Sequence, residues 1–211
     1  MPTERLIYHF THIQNLPQIL NSGALLCDSL VREAQKLVVE VGDLDVKRRR
    51  RSIAVTRPPG GFPANYVPFY FAPRSPMLYV ISKGSVEQYQ DGQDSLIYLV
   101  TSVDQISSKR LDFVFTDGNC ASEITEYFDN LESLERVIDW PLMESRHWHN
   151  TAEDPDRMRR RMAEFLVHRE VPWHCLLGIA TMTSDKEEEV NRILEENDKP
   201  TYVVCRRDWY Y

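Results

Sequence analysis

One carboxylate in the sequence stands in a setting that suits catalysis. Glu164 lies in the apolar segment Ala163-Glu-Phe-Leu-Val-His168 and follows a cluster of arginines directly. The arginines of that cluster are Arg157, Arg159, Arg160 and Arg161. A carboxylate buried beside positive charge is held ionised and ready for chemistry. An outward-facing strand residue in an ion pair would have the same spacing, so this segment alone leaves the role of Glu164 open.

A concentrated block of positive charge lies in the first third of the chain. The net charge is −7 over 211 residues, yet residues 44–74 hold seven basic side chains against the single acid Asp45. The basic residues are Lys47, Arg48, Arg49, Arg50, Arg51, Arg57 and Arg74. Residues 112–156 hold twelve acids against two arginines. Such asymmetry indicates a docking place for a polyanion, although a solvated basic loop would have the same composition.

The residues after the basic run combine prolines with aromatic side chains. Prolines at positions 58, 59, 63, 68, 73 and 76 exclude a continuous helix and argue against a central strand in this region. Tyr66, Tyr70 and Phe71 are nevertheless too apolar for a free linker. A long irregular segment inside a compact domain is most often functional. These rings could stack on a base, or they could only pack the loop.

Several kinds of site are not supported by the sequence. It contains no glycine-rich dinucleotide fingerprint, no Walker loop and no His-Glu-x-x-His motif. His9 with His12, and His147 with His149, form close pairs that lack cysteine or carboxylate partners at ligand spacing, so we expect no metal site. The cysteines (Cys27, Cys120, Cys175 and Cys205) lie far apart, which argues against a disulfide scaffold and fits a reducing cytoplasm.

The elements that must position these residues are predicted from local patterns. Leu6–Phe10 predicts a short buried strand, and a helix begins near Asn15 and ends at Gly23. Further strands are predicted at residues 96–100, 113–116, 163–168, 175–180 and 201–205, and helices at residues 28–36 and 184–197. Strands outnumber well-capped helices and no βαβ rhythm is present. The pattern therefore predicts an α+β fold, with residues 1–211 forming a single domain.

Composition limits the cellular setting. Hydrophobic residues make up 42% of the chain and charged residues 27%, which is typical of a globular domain. The longest apolar stretches, such as residues 95–100, fall far short of the ~20 residues that span a bilayer. The N-terminal residues lack the basic and apolar regions of an export signal. We therefore expect no membrane association and a cytoplasmic location.

Five segments, taken in chain order, form a distinctive set. The segments are Tyr8-His-Phe-Thr-His12, Asn15-Leu-Pro-Gln-Ile-Leu20, Tyr66-Val-Pro-Phe-Tyr-Phe-Ala-Pro-Arg-Ser-Pro-Met77, Phe115-Thr-Asp-Gly-Asn119 and Ala163-Glu-Phe-Leu-Val-His168. Together they resemble the DarT family, the DNA ADP-ribosylating toxins of DarT–DarG toxin–antitoxin systems. The similarity runs from about residue 5 to the end of the chain, and the proline-rich string of residues 66–77 is long and unusual.

This resemblance implies an ADP-ribosyltransferase-like α+β fold, with a central split or mixed β-sheet and peripheral helices. It implies that NAD is consumed as a co-substrate, without a metal, and that ADP-ribose moves to a base of single-stranded DNA. The acceptor is a thymine ring nitrogen in one branch of the family and guanine in another. A DarG-like macrodomain antitoxin is the partner that the resemblance implies.

The resemblance also assigns residues. Glu164 matches the catalytic glutamate, which would stabilise the oxocarbenium-like sugar formed as nicotinamide leaves. Arg51 matches the arginine of the NAD-binding element, and a slip of one residue would name Arg50 instead. The residues assigned to NAD are His9, Phe10, Thr11, Gln18, Arg51 and Tyr70. The residues assigned to nucleic acid are Arg48, Arg49, Arg50, Arg57, Arg74, Met77, His147 and Trp148.

Two alternatives remain open at this point. The same fold could transfer ADP-ribose to guanine, RNA or protein, because a fold does not select its acceptor. The basic block could also belong to a nucleic-acid-binding module that performs no chemistry.

Overall fold

An eight-stranded mixed β-sheet organises the chain in the computed structural model, which describes residues 4–211. The strands are β1 (Leu6–His12), β2 (Ala24–Leu26), β3 (Tyr66–Tyr70), β4 (Leu96–Ser102), β5 (Phe113–Thr116), β6 (Tyr127–Phe128), β7 (Glu164–His168), β8 (Glu170–Pro172), β9 (Gly178–Thr181) and β10 (Val203–Cys205). The helices are α1 (Leu16–Ser22), α2 (Asp28–Glu33), α3 (Leu44–Arg50), α4 (Pro76–Ser82), α5 (Val103–Ser108), α6 (Leu134–Val137), α7 (Trp140–Glu144), α8 (Arg157–Arg161) and α9 (Ser184–Glu196).

The order of the strands places the first strand of the chain in the middle of the main sheet and the last strand at one edge. Across that sheet the order is β10-β9-β4-β1-β3-β7-β5-β6, and β2 pairs with β8 in a separate two-stranded sheet. Strands β9 and β10 run parallel, and the other neighbours in the main sheet run antiparallel. The predicted α+β class with a central mixed sheet and peripheral helices is therefore confirmed.

The two faces of the main sheet are packed differently. One face carries a single large core, in which Ile7, Phe69, Leu99 and Phe165 are fully buried. The other face carries two separate clusters. One cluster gathers around Phe10, Leu78, Tyr98 and Val100, and the other contains Val55, Tyr66, Val114, Cys120, Tyr127 and Leu166. These two clusters lie on either side of the boundary between β1 and β3, so this face of the sheet is divided at that boundary.

The sheet is split along the same boundary. Strand β1 pairs with β4 over its whole length, from Leu6 to His12. Its pairing with β3 is confined to Tyr8 opposite Tyr70 among the residues that the structure describes. Beyond that pair the two strands form no ladder. The backbone edges of β1 and β3 are consequently open to a ligand, as the predicted split sheet requires.

Pro68 lies inside the main sheet. Strand β3 lies between β1 and β7, so the expectation that the prolines argue against a central strand here is wrong. The N–H of Arg169, which follows β7, donates to the carbonyl of Asn65, so the backbone groups of Asn65 face β7. Backbone groups alternate in direction along a strand. The N–H of Val67, two residues later, therefore also faces β7, whereas the nitrogen of Pro68 faces the split. Pro68 removes no ladder hydrogen bond, because β1 forms none at that point.

Other elements differ from the sequence patterns in their extent. Helix α3 forms in the basic run, where the sequence patterns predicted no helix, because Asp43 caps it by accepting hydrogen bonds from the N–H groups of Asp45 and Val46. Helix α2 ends at Glu33, before the predicted residue 36. The predicted strand at residues 175–180 begins at Gly178, after a 3-10 turn at Trp173–Cys175. None of the helices in residues 4–211 combines the length and the apolar character that crossing a membrane requires.

The orientation of the β3 backbone is testable by moving the proline by one position. Pro68→Ala should change the free energy of unfolding by less than about 1 kcal/mol, because no ladder bond is gained or lost. Val67→Pro should cost about 3 kcal/mol or more, because it removes a hydrogen bond to β7. Urea unfolding followed by circular dichroism measures both changes. Equal damage from the two substitutions would show that the described orientation is wrong.

Candidate active site

Helix α3 and strand β7 bring Arg50 and Glu164 into direct contact. The Arg50 Nη1 atom lies 3.0 Å from Oε1 and 2.7 Å from Oε2 of Glu164. Glu164 is the first residue of β7, lies opposite Tyr70 of β3, and is only 2% exposed. A buried carboxylate is therefore held against a guanidinium beside the last backbone pair that joins β1 to β3. The structure excludes the alternative in which Glu164 faces outward in a surface ion pair.

Two neighbouring residues fix the orientation of Glu164. The N–H of Cys120 lies 3.3 Å from Oε1 of Glu164 and donates to it, and the backbone N–H of Glu164 donates to the Thr116 hydroxyl at 3.0 Å. The Cys120 Sγ atom also lies 2.7 Å from Nη1 of Arg50. Burial raises the pKa of the Cys120 thiol well above its usual value, so the sulfur is a neutral contact and not a nucleophile.

The guanidinium of Arg50 retains its charge and has one nitrogen that binds no other group in the described residues. Burial alone would lower the pKa of Arg50, but the adjacent Glu164 carboxylate outweighs burial and raises it. The Nη2 atom is buried and has no hydrogen-bond partner within residues 4–211. A buried donor that lacks a protein partner indicates a place for a polar or anionic ligand. Arg50 can therefore bind Glu164 and a ligand simultaneously.

Aromatic and thioether side chains form the wall next to this pair. The Tyr70 hydroxyl approaches the Met77 sulfur at 3.8 Å, and the Tyr70 ring stacks near Phe10 with 6.3 Å between ring centroids. Burial raises the pKa of Tyr70 above its usual value, so its hydroxyl stays protonated. Phe10, Tyr70 and Met77, which the sequence assigned to ligands, are thus gathered beside Glu164.

Residues of β1 are held in place from both sides. The His9 Nδ1 atom lies 2.8 Å from the carbonyl of Pro68 and bridges the split between β1 and β3. The Thr11 hydroxyl accepts a hydrogen bond from the Asn15 side chain at 3.1 Å. Asn15 also binds the backbone of Val39, which fastens the loop that precedes α3. Gln18, also assigned to NAD, is exposed on α1.

The arginine that reaches Glu164 is Arg50, whereas the sequence favoured Arg51. Arg51 binds Asp28 instead, with 2.8 Å between Nη2 and Oδ2. Consecutive helical residues point about 100° apart, so only one of the two arginines at the end of α3 can face Glu164. This geometry corrects the sequence-based choice in favour of the neighbouring residue.

The arginine cluster that precedes Glu164 does not bind it. Arg159 forms ion pairs with Asp117 and Asp156, and Arg160 with Asp139 and Asp154. Arg161 is buried and donates to the carbonyl of Pro73. The positive charge beside Glu164 thus comes from a residue 114 positions earlier in the chain.

The residues assigned to nucleic acid fall into two groups. Those that remain accessible are Arg48, Arg49, Arg57, Arg74, Met77 and His147. Trp148 is only 4% exposed, and its Nε1 atom donates to the Tyr211 hydroxyl at 2.8 Å. Its indole ring is packed, so Trp148 has no free face for a base in this structure. Arg50 lies inside the site rather than on the surface.

Sequence reasoning missed several residues that shape the site. Cys120 and Asp28 carry no recognisable motif, and only the folded chain brings them to the two arginines. Tyr211 binds Trp148 and also lies beneath the guanidinium of Arg74, at 4.4 Å from the ring centroid. Within residues 4–211, no group of three or more His, Cys, Asp or Glu side chains gathers that could hold a metal ion.

Comparisons with known proteins give a consistent result. A family model described as "ssDNA thymidine ADP-ribosyltransferase, DarT" matches residues 8–211. A "DNA ADP-ribosyl transferase" of Thermus sp. (strain 2.9) is 38% identical over 212 residues, which cover 100% of this chain and 98% of the relative. A transferase–glycohydrolase fusion protein of Thermosipho africanus (strain H17ap60334) is 31% identical over 79% of this chain, which spans 39% of that relative.

Solved structures of the Thermus sp. 2.9 DarT are similar over almost their entire length. The complex with ADP-ribosylated ssDNA has a TM-score of 0.91 at 36% identity, covering 98% of this chain and 96% of that one. The complex with NAD+ has a TM-score of 0.88 at 36% identity, covering 100% of this chain and 99% of that one. The ADP-ribosyltransferase-like fold expected from the sequence is therefore confirmed.

His9 should remain neutral at physiological pH. Burial, together with the charges of Lys47 and Arg50, lowers its pKa to about 4, although the hydrogen bond to Pro68 opposes this shift. An NMR titration of the imidazole should give a midpoint near that value, and His9→Gln identifies the signal. The unfolded chain titrates near ~6.5, so the His9 contribution to the free energy of unfolding rises with pH between about 4 and 6.5. A folded-state midpoint of about 6.5 would contradict this prediction.

Proposed function

The chain belongs to the DarT family, and we propose that it is an NAD-dependent enzyme that transfers ADP-ribose to a base of single-stranded DNA and releases nicotinamide. The observation that carries this proposal is the buried Glu164–Arg50 pair beside the split in the sheet. The complexes of the similar Thermus protein with NAD+ and with ADP-ribosylated ssDNA support both substrates.

Glu164 supplies the main electrostatic contribution to the reaction. Cleavage of the bond between nicotinamide and ribose leaves an oxocarbenium-like sugar that is positively charged. The fixed carboxylate accepts a hydrogen bond from the sugar hydroxyl and stabilises that charge as it develops. Because Arg50, Cys120 and Thr116 already hold Glu164 in position, little reorganisation is needed when the bond breaks.

Arg50 acts as a permanent cation in this scheme. Its free Nη2 donor can bind a diphosphate oxygen or a carbonyl of the acceptor base. The raised pKa of Arg50 excludes it as the base that removes the proton from a ring nitrogen. The Glu164 carboxylate, which lies beside the same guanidinium, is placed to take that proton once the sugar cation has been captured.

The accessible side chains near the site fit a single strand of DNA. Arg48 and Arg49 are exposed on α3 and offer contacts to phosphates, as does Arg74, whose guanidinium lies over the Tyr211 ring. A ring nitrogen that pairs in duplex DNA is free only in a single strand, so such a substrate avoids the cost of unpairing. We propose thymine as the acceptor, because the matching family is described by thymidine. Guanine, RNA and protein are the alternative acceptors, and incubation of each with the enzyme and labelled NAD distinguishes them.

We also propose that residues 1–211 form one catalytic domain. The main sheet supports this, because its strands come from segments between Leu6 and Cys205. The enzyme works in the cytoplasm, where free thiols such as those of its four cysteines persist.

A macrodomain-type antitoxin of the DarG kind reverses the modification, and the fusion of a transferase with a glycohydrolase in the Thermosipho africanus relative supports such a partner.

Replacement of Glu164 should stop the reaction without unfolding the protein. Glu164→Gln should lower the transfer rate by at least about 100-fold, because it removes the charge that stabilises the sugar cation. The assay is mass spectrometry of single-stranded oligonucleotides that differ only in a central T, G, A or C, after incubation with NAD. Glu170→Gln, at the exposed first residue of β8, is the matched control and should retain activity. Unchanged modification by Glu164→Gln would refute the role of Glu164.

The two arginines at the end of α3 should respond differently to the same conservative change. Arg50→Lys should lower the transfer rate by about 10- to 100-fold, because an ammonium cannot bind Glu164 and a ligand with the same fork geometry. Arg51→Lys should stay close to wild type, since lysine preserves the charge that faces Asp28. The opposite ranking of these two variants in the same oligonucleotide assay would restore Arg51 as the catalytic arginine.

A further inference from the structure

Helix α3 is anchored in an unusual way for an element that carries a catalytic side chain. None of the residues from Leu44 to Arg50 is buried, and Leu44 is 50% exposed. Hydrophobic packing, which normally fixes the rotation of a short helix, therefore contributes little here. The guanidinium of Arg50 must nevertheless meet a carboxylate within 3 Å. Polar contacts on another side of the helix have to fix its rotation.

Asp28, the first residue of α2, makes those contacts. Its Oδ1 atom lies 2.9 Å from Nζ of Lys47, and its Oδ2 atom lies 2.8 Å from Nη2 and 3.1 Å from Nε of Arg51. Lys47 and Arg51 are four positions apart and so lie on one face of the helical turn. Glu40 binds Lys47 as well. One carboxylate thus holds two successive turns of the segment that carries Arg50.

The burial of these groups makes the contacts stronger than ordinary surface pairs. The side chains of Asp28 and Lys47 are 18% and 22% exposed, whereas those of Arg48 and Asp45 in a neighbouring pair are 77% and 76% exposed. Exposed pairs contribute about 0–1 kcal/mol, and screening weakens them further. Although burial opposes ionisation, Lys47 and Arg51 keep the pKa of Asp28 below its usual value.

We propose that Asp28 is a positioning residue that fixes the rotation of α3 and thereby directs Arg50 onto Glu164. The inference rests on the proposed function only for its effect on catalysis; the anchoring of α3 is a separate claim. Asp28 acts through Lys47 and Arg51 and makes no hydrogen bond to Glu164 within the described residues. The proposal also gives Arg51 a role in the site, as a partner of Asp28, although Arg50 is the arginine that contacts Glu164.

The test compares Asp28→Asn with Asp28→Glu in the full chain. Asp28→Asn should lower the transfer rate by roughly 10- to 100-fold, because small displacements of a catalytic group are costly. Asp28→Glu, which keeps the charge, should recover most of the activity. Asp45→Asn removes the exposed ion pair of the same helix and should have no effect. Hydrogen exchange at the amides of residues 44–51 should accelerate roughly tenfold in Asp28→Asn, with the main sheet unchanged.

A double-mutant cycle separates this role from a simple loss of α2 stability. If Asp28 acts through Lys47, the combined Asp28→Asn and Lys47→Gln variant loses less activity than the product of the two single losses. Multiplicative losses, unchanged activity in Asp28→Asn, or unchanged exchange in residues 44–51 would each overturn the proposal. If the wild-type protein modifies no oligonucleotide, the proposed function fails, and the exchange experiment still decides whether Asp28 anchors α3.

Discussion

The site depends on a single buried ion pair, between Arg50 and Glu164. Removing both charges from water costs several kcal/mol per ion, so the pair depends on further hydrogen bonds to its polar groups. The N–H of Cys120 donates one to the Glu164 carboxylate, and the Thr116 hydroxyl holds the backbone N–H of Glu164. The site therefore forms only when three distant segments come together: α3, the start of β7 and the turn after β5.

The split between β1 and β3 lies beside the ion pair. Backbone pairing of the two strands is confined to Tyr8 and Tyr70 in the described residues, and Pro68 has no N–H with which to extend it. His9 spans the gap with its ring and occupies the carbonyl of Pro68. The two apolar clusters on that face give each side of the split its own support. The interrupted ladder leaves backbone N–H and C=O groups of both strands without a strand partner, and such groups can bind a polar ligand.

Local patterns in the sequence predicted much of this arrangement. The apolar runs that form β1 and β7 are recognisable from residue types alone. The second run singled out Glu164, but its assignment as the catalytic residue came from the resemblance to the DarT family. The choice between Arg50 and Arg51 required the direction of α3, which is set by contacts distant in the sequence. The prolines argued against a central strand, but a proline is acceptable wherever a strand lacks a partner on one side. The residue type of Trp148 suggested base stacking, but composition does not distinguish a packed indole from an accessible one, because packing depends on tertiary contacts.

Cys120 gives the centre of the enzyme an unusual chemical property. Its sulfur touches the guanidinium on which the reaction depends, yet the side chain is fully buried and its thiol is held in the protonated form. Peroxide and electrophiles attack thiolates that they can reach, and this sulfur meets neither condition. An oxidisable atom thus lies beside Arg50 and Glu164, but its burial and its proton protect it from oxidants.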